Sequence, residues 1–368
     1  MSKARELAEL GAVYDSGALS NRNLVINGNM QVAQRGSFTI STTGSPEYGG
    51  PDRFHVWTYA STEQVVADVS QDTDVPSGLG FSNSYKFDVT TAESAVASNE
   101  ALLIGQYIEA QNLQHLEYGT SSAKSLMLSF HIKSTKTGTY CLSVTAPDGS
   151  RNIIKEYTVS ASNTWEKKTI IIPGDTSGTI NNDNGQGLWL QWVLIAGTDR
   201  HKAADSWSGT TSDIATSNQV NACDSTSNNI YLAGVQLEVG TEATPFEHRS
   251  FGQELALCQR YFMRFKRSSS SGALCNLSYY IASNAYGTIH FPTEMRSYPS
   301  MASSSGTNDF RIYAQANGGE TFNSVTGLQA YETKCMVINI SGLSGTEGAP
   351  GWIECATTSA TLDFSSEL

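Results

Sequence analysis

Charge is scarce in this sequence. Only 16% of its 368 residues are Asp, Glu, Lys or Arg, and the acidic ones prevail, leaving a formal net charge of −12. Such a surface repels phosphate backbones. Lys and Arg do not cluster outside Arg264, Lys266 and Arg267, so the electrostatics argue against a direct DNA or RNA partner. That short run reads as a solvated strand face, with a small anion site as the alternative. Long apolar runs are missing too. No stretch approaches the ~18 residues that mark a transmembrane helix, and the N-terminus lacks the apolar core of a secretory signal. A soluble protein, made in a cytoplasm and without membrane insertion, is expected. The six cysteines (Cys141, Cys223, Cys258, Cys275, Cys335 and Cys355) stand singly, with no C-x-x-C pair and no histidine at ligand spacing. They read as free core thiols.

Catalytic signatures are equally absent. There is no G-x-S-x-G elbow, no H-E-x-x-H and no P-loop, and the histidines are dispersed. Glycoside hydrolysis needs two carboxylates held across a cleft. Asp72, Asp74, Asp183, Asp199 and Asp205 sit in predicted loops, and nothing in the sequence pairs them. No catalytic residue, cofactor or metal ligand is therefore assigned. The run Asn181-Asn182-Asp183-Asn184 offers hard oxygen ligands suited to a structural calcium ion, yet it lacks the full EF-hand spacing and reads more simply as a turn.

What the chain does contain is Ser, Thr, Asn and Gly in quantity, with many short alternating segments. Leu126, Leu128, Phe130 and Ile132 alternate with Met127, Ser129 and His131, as in a strand packed on one face. Tyr140, Leu142 and Val144 run into Pro147-Asp148-Gly149, a hairpin turn in which proline presets φ and glycine tolerates a positive one. Further strands are expected at 24–32, 54–59, 85–89, 102–108, 153–159, 165–172, 188–195 and 230–239. About ten antiparallel strands with no helix between them predict a two-sheet jelly-roll sandwich over residues 23–247. The polar stretch 197–229 is too long for a plain connection and is expected to be a mobile or binding element.

Ser250 followed by Gln253 is a capping box, so a helix should begin at Phe251. Phe251, Leu255, Cys258 and Phe262 give it one apolar stripe, and residues 248–262 read as a connector. A second, smaller β-sandwich is expected over 263–368, where Cys275, Leu277, Tyr279 and Ile281 alternate. The segment 1–22 carries a short helix with Ala4, Leu7 and Ala8 on one side. It is too short to be stable alone, so it either docks on a partner or frays.

The segment GVQLEVGTEATPFEHRSFGQELALCQRYF (234–262) resembles the strand, linker and helix of bacteriophage tail-fibre and related virion proteins, notably of marine phages. NLVINGNMQVAQRG (23–36) followed by Asp52-Arg53-Phe54 resembles the opening of that family's first domain, which is like a carbohydrate-binding module. FPTEMRSYPSM (291–301) and the closing TLDFSSEL resemble parts of its second. The resemblance implies a non-enzymatic virion component, most simply a tail fibre attaching to host-surface polysaccharide, with a head fibre or capsid decoration as the structural alternative. It also implies a homotrimer, and docking of the N-terminal tip, through Ala4, Leu7 and Ala8, on other virion proteins. Sugar binding needs exposed aromatic faces and planar hydrogen-bonding groups. Trp57, Trp165, Trp189, Trp192 and Trp352 fall in predicted strands and are expected in the core. Trp207, in the long loop, is the candidate stacking platform, with plugging of a core or of a protomer interface as its alternative. Tyr286 is the second candidate.

Overall fold

The computed structural model describes residues 21–40, 44–59, 65–267, 273–314, 318–328 and 332–368. Ala4, Leu7 and Ala8 lie outside the described residues. The chain divides into two compact units, Met1–Glu254 and Leu255–Leu368, the boundary falling within the helix Phe251–Gln259.

The first unit is an antiparallel sandwich of two six-stranded sheets, a jelly-roll arrangement. One sheet runs from edge to edge through Phe38–Thr39, Val66–Asp72, Ser84–Thr91, Asn229–Val239, Leu126–Ser134 and Glu166–Ile172. The other runs through Glu47–Tyr48, His55–Tyr59, Ala101–Glu109, Gln186–Ala196, Gly138–Ala146 and Arg151–Val159. Their inner faces meet in one apolar core that includes Phe54, Phe87, Phe130, Tyr140, Leu190 and Trp192. The Pro147-Asp148-Gly149 turn does join two paired strands, with Ala146 opposite Arg151. Strand 126–134 is buried on both faces rather than one, since Met127 and Ser129 are as enclosed as Leu128. The strand Val66–Asp72 was not expected: Val69 is its clearest apolar position, and beyond Val66 its other face is polar or acidic.

Residues 24–32 form no strand. Asn27 and Met30 take φ of 59° each, and side chains replace the ladder. The Asn27 amide donates to the carbonyls of Val32 (2.8 Å) and Asp52 (2.9 Å), and its carbonyl accepts the Val32 N–H. An Asx residue is suited to this because its short polar side chain stabilises a left-handed backbone locally. Asn27→Ala is expected to cost about 2 kcal/mol, from lost buried hydrogen bonds and a strained φ. Urea denaturation followed by tryptophan fluorescence checks it.

The same segment holds the polypeptide that leaves the sandwich. The Asn21 and Asn23 N–H groups donate to the Glu247 carboxylate, and the Asn23 amide donates to Val235 O. Arg249 reaches the carbonyls of Asn23 and Val25, and the Asn27 N–H donates to Glu254. Two of the stretches that carry the family resemblance are therefore hydrogen-bonded to each other.

The capping box at the helix start is present: the Ser250 N–H donates to Gln253 Oε1 (3.1 Å) and the Gln253 N–H to Ser250 Oγ (3.3 Å). The expected stripe is not. Phe251 is 55% exposed, and the buried positions are Glu254, drawn in by the Asn27 N–H, and Cys258. The helix ends at Gln259, and Phe262 begins a strand.

The second unit contains a three-stranded sheet, Phe262–Lys266, Thr361–Ser365 and Ser300–Ser303. Its larger sheet has seven strands, in the order Gly318–Phe322, Phe310–Ala314, Pro350–Cys355, Ala273–Ile281, Asn284–His290, Cys335–Ser341 and Thr326–Gly327. Leu277, Ile289, Phe310, Ile338, Ile353 and Phe364 belong to its core. Among the described residues no helix is long and apolar enough to cross a membrane.

Candidate functional site

Trp207 is not an exposed platform. It is half-buried against the core of the first unit, its indole N–H donating to Pro173 O (2.7 Å) and its ring meeting Tyr118 edge-on at 5.9 Å. The loop that carries it is anchored rather than free. Asn152 pairs with Ser208, His201 bridges to Ala215, and Lys202 Nζ binds the Asn152 side chain and Ser208 Oγ (2.7 Å). Ile214 and Ala215 are fully buried. Of the two expectations for this indole, the plugging of a core is the one met: its large apolar area favours a niche with an acceptor for its N–H.

The other candidates for chemistry are engaged locally. Asp74 accepts from Lys133 and from the Trp165 indole, Asp205 pairs with Lys155, and Asp199 with Ser98. Asn181 binds Asp148, and Asp183 Oδ1 accepts the Gly185 N–H, so the asparagine-rich run closes turns. Arg264 grips Asp363 through two bonds of 2.7 and 2.6 Å, and Arg267 donates to Ala356 O, so both guanidiniums have structural roles, while Lys266 is exposed. All six cysteines are free thiols, four of them buried.

On the outer side of the first unit's second sheet His55, Tyr107 and Trp189 are internalised, while Tyr48, Trp57 and Tyr59 are half-buried. Trp189 donates to His55 Nε2 (3.1 Å), and His55 stacks on Tyr107 with ring centroids 4.7 Å apart. The sheet leaves room for both rings at Gly105, where a Cβ would lie 2.5 Å from the Trp189 nitrogen and 2.6 Å from His55 Nε2. Burial, aided by the Arg53 guanidinium, pushes the His55 pKa down to about 3.

Among the described residues, the sheet face with strongly exposed aromatics is in the second unit, the outer face of its seven-stranded sheet; Phe251 and Tyr298 are exposed outside the sheets. Along Ala273–Ile281, Leu277 and Tyr279 point into the core, whereas Asn276, Ser278 and Tyr280 face outward; in Asn284–His290, Ala285, Gly287 and Ile289 are inside and Tyr286 and Thr288 outside. Trp352, next to the buried Ile353, is 43% exposed, and Tyr280 is 69% exposed. Trp352 was expected in the core and is not. Alternation held the signal: Ile353 and Cys355 share the parity that faces inward, and Trp352 has the other.

No family model matches this chain, and no curated protein does. Among solved structures, an enzymatically active domain of tailspike protein 4 of bacteriophage CBA120 overlaps it at a TM-score of 0.31 and 14% identity, covering 59% of this chain and 21% of that one. A family 11 carbohydrate-binding module from Clostridium thermocellum, in complex with a mixed-linked tetrasaccharide, gives 0.28 and 14%, covering 56% and 98%. A family 4 carbohydrate-binding module gives 0.28 and 14%, covering 58% and 98%. This chain spans about a fifth of the tailspike chain. Overlaps this partial leave the chemistry to be argued from the side chains.

On the outer face those side chains form two stations. Tyr313 stacks on Trp352 with centroids 5.2 Å apart and planes at 25°, and Tyr280 meets Tyr286 edge-on at 5.6 Å. The solvent side of an antiparallel sheet is ordinarily polar, and exposed aromatic clusters mark places where something binds. An open hollow of about 580 Å³ beside Tyr286 is lined by Asn276, Ser278 and Thr288 among others. Flat rings with amides and hydroxyls between them can stack on the C–H faces of a sugar and bond its hydroxyls. Tyr286 thus lies on this face, while Trp207 does not.

Proposed function

We propose that the protein is a bacteriophage virion component that attaches to host-surface glycan through the outer face of the seven-stranded sheet in its second unit. The observation that carries the glycan half is the exposure of Trp352 and Tyr280 on a sheet face that also presents Asn276 and Ser278. The virion half is supported by the resemblance of 23–36 and 234–262 to tail-fibre proteins and by the hydrogen bonds that join these two stretches. Binding, rather than hydrolysis, fits the candidate acids, which are taken up by local partners. Open faces of this kind hold single ligands weakly. Several copies on one particle, as in the trimer the resemblance implies, raise avidity without new contacts.

The test is binding of the labelled, purified protein to host cells with cell-surface polysaccharide as competitor. Saturable, competed binding is expected. Trp352→Ala should weaken it about tenfold, and Trp207→Phe, which keeps the packing of that ring, should leave it unchanged. Failure of the correctly assembled protein to bind would move the assignment to a head fibre or capsid decoration without a receptor.

A further inference from the structure

The register of the sheet narrows the ligand. Asn276 stands opposite Trp352 on one side, and its neighbour on the same face, Ser278, stands opposite Tyr286 on the other. Trp352 and Tyr286 are therefore two strands apart and offset by two residues. That is about 10 Å across and about 7 Å along, or roughly 12 Å between their Cα atoms on ordinary strand spacings. Asn276 and Ser278 occupy the middle strand between them. Such a span is too wide for one sugar ring to touch both stations, and the line joining them crosses the strands obliquely.

Charge narrows it further. Among the described residues of this face the ionised side chains are Arg311 and Glu354, 3.5 Å apart and opposite each other in the ladder. Arg311 also donates to Tyr313 Oη (2.6 Å). Its guanidinium is thus committed to groups within the face. An acidic polysaccharide is held by guanidinium or ammonium groups that can turn to its carboxylates or sulfates. Apart from Glu354, which Arg311 pairs, and the imidazole of His290 at a strand end, the described outer positions of the three central strands carry the neutral Trp352, Asn276, Ser278, Tyr280, Tyr286 and Thr288. On a chain of net charge −12, an anionic ligand would also meet long-range repulsion.

Resting on the glycan reading above, we infer that the ligand is an uncharged, extended oligosaccharide that crosses the sheet obliquely, stacked at Trp352 and at the Tyr280–Tyr286 pair, with its hydroxyls bonded by Asn276 and Ser278 between. Three consequences follow for affinity. It rises with chain length until both stations are covered, it is insensitive to salt, and each station contributes separately.

Titration calorimetry on the full chain tests this with length ladders of neutral mannan, galactan, xylan and β-glucan oligosaccharides, and with alginate and polygalacturonate oligosaccharides of matched length. At least one neutral series should bind, tetrasaccharides about tenfold more tightly than disaccharides, with the acidic series at least about tenfold weaker. Trp352→Ala and Tyr286→Ala should each reduce tetrasaccharide affinity about tenfold and abolish the gain over the disaccharide. Acidic oligosaccharides binding as well as neutral ones would overturn the inference while leaving glycan attachment standing. So would binding that ignores chain length. Absence of binding to every series, together with no binding to host cells, would remove both. A sedimentation coefficient that falls in Trp352→Ala would make the face a contact between copies of the chain, and would overturn the inference as well.

Discussion

Gly28→Ala is expected to destabilise the first unit by about 3 to 4 kcal/mol. A Cβ at this position would lie 2.0 Å from the carbonyl oxygen of Val235 and 3.1 Å from its carbon. Both are backbone atoms of Asn229–Val239, a strand interior to its sheet, so no side-chain rotation relieves the clash. The Val235 N–H also donates to Gly28 O (2.8 Å), and any retreat of the turn breaks that bond. Gly252→Ala is the control. It sits on the exposed helix with nothing within 4 Å of the added methyl, and should stabilise by about 0.5 kcal/mol. Urea denaturation of the two variants should move the midpoints in opposite directions; equal midpoints would contradict the packing described for residues 23–32.

The second large effect is acid lability traceable to His55. This imidazole is fully buried, and its Nε2 accepts the Trp189 indole proton, so the ring is neutral with its own proton on Nδ1. Protonation of Nε2 would break that bond and place a cation beside Arg53. The group's pKa falls from 6.5 to about 3 on folding, so between those values the unfolded chain binds the extra proton and the folded one does not. Stability contributed by this group is therefore complete above pH 6.5 and declines as the pH falls, by roughly 2 kcal/mol at pH 5 and roughly 3 kcal/mol at pH 4. His115 and His131, both lowered mainly by burial, act in the same direction. Carboxylates ordinarily titrate below this window, so the slope of stability between pH 6.5 and 5 isolates the histidines. His55→Gln keeps an acceptor for Trp189 and should flatten that slope, though it is less stable at neutral pH. Identical slopes in the two proteins would remove His55 as the cause.

Particular residues show how much was legible beforehand. The sandwich strands announced themselves through alternation, and Ser250 with Gln253 located the helix start, because both signals are local and nearly independent of what packs on them. Residues 24–32 misled because Leu24, Ile26 and Val32 look like one strand. The decisive interactions there are the side-chain bonds of Asn23 and Asn27 to segments more than twenty, and in one case more than two hundred, residues away. Phe251 and Glu254 exchanged their expected places for a similar reason: a carboxylate accepts a buried N–H from a distant segment, and the aromatic ring faces outward. Trp352 reversed as well, and Trp207 took the second of its two expected places. Period-two alternation separates the faces of a strand but does not say which face another layer covers, so Trp352 on the uncovered face and Trp207 packed against the core could be told apart only once the sheets were assembled. The outward position of Tyr286 follows from the same alternation, since Ala285, Gly287 and Ile289 have the inward parity.

The first sandwich begins and ends at one place. Asn21 and Asn23 hydrogen-bond to Glu247, so the polypeptide enters and leaves through adjacent points, with more than two hundred residues of sheet hung between them. A body attached in this way can be exchanged for another of different size without altering the direction of the chain on either side. Recombination between related genes at these two points would transplant the whole sandwich as a cassette, and the same points are the natural sites for grafting it onto another carrier.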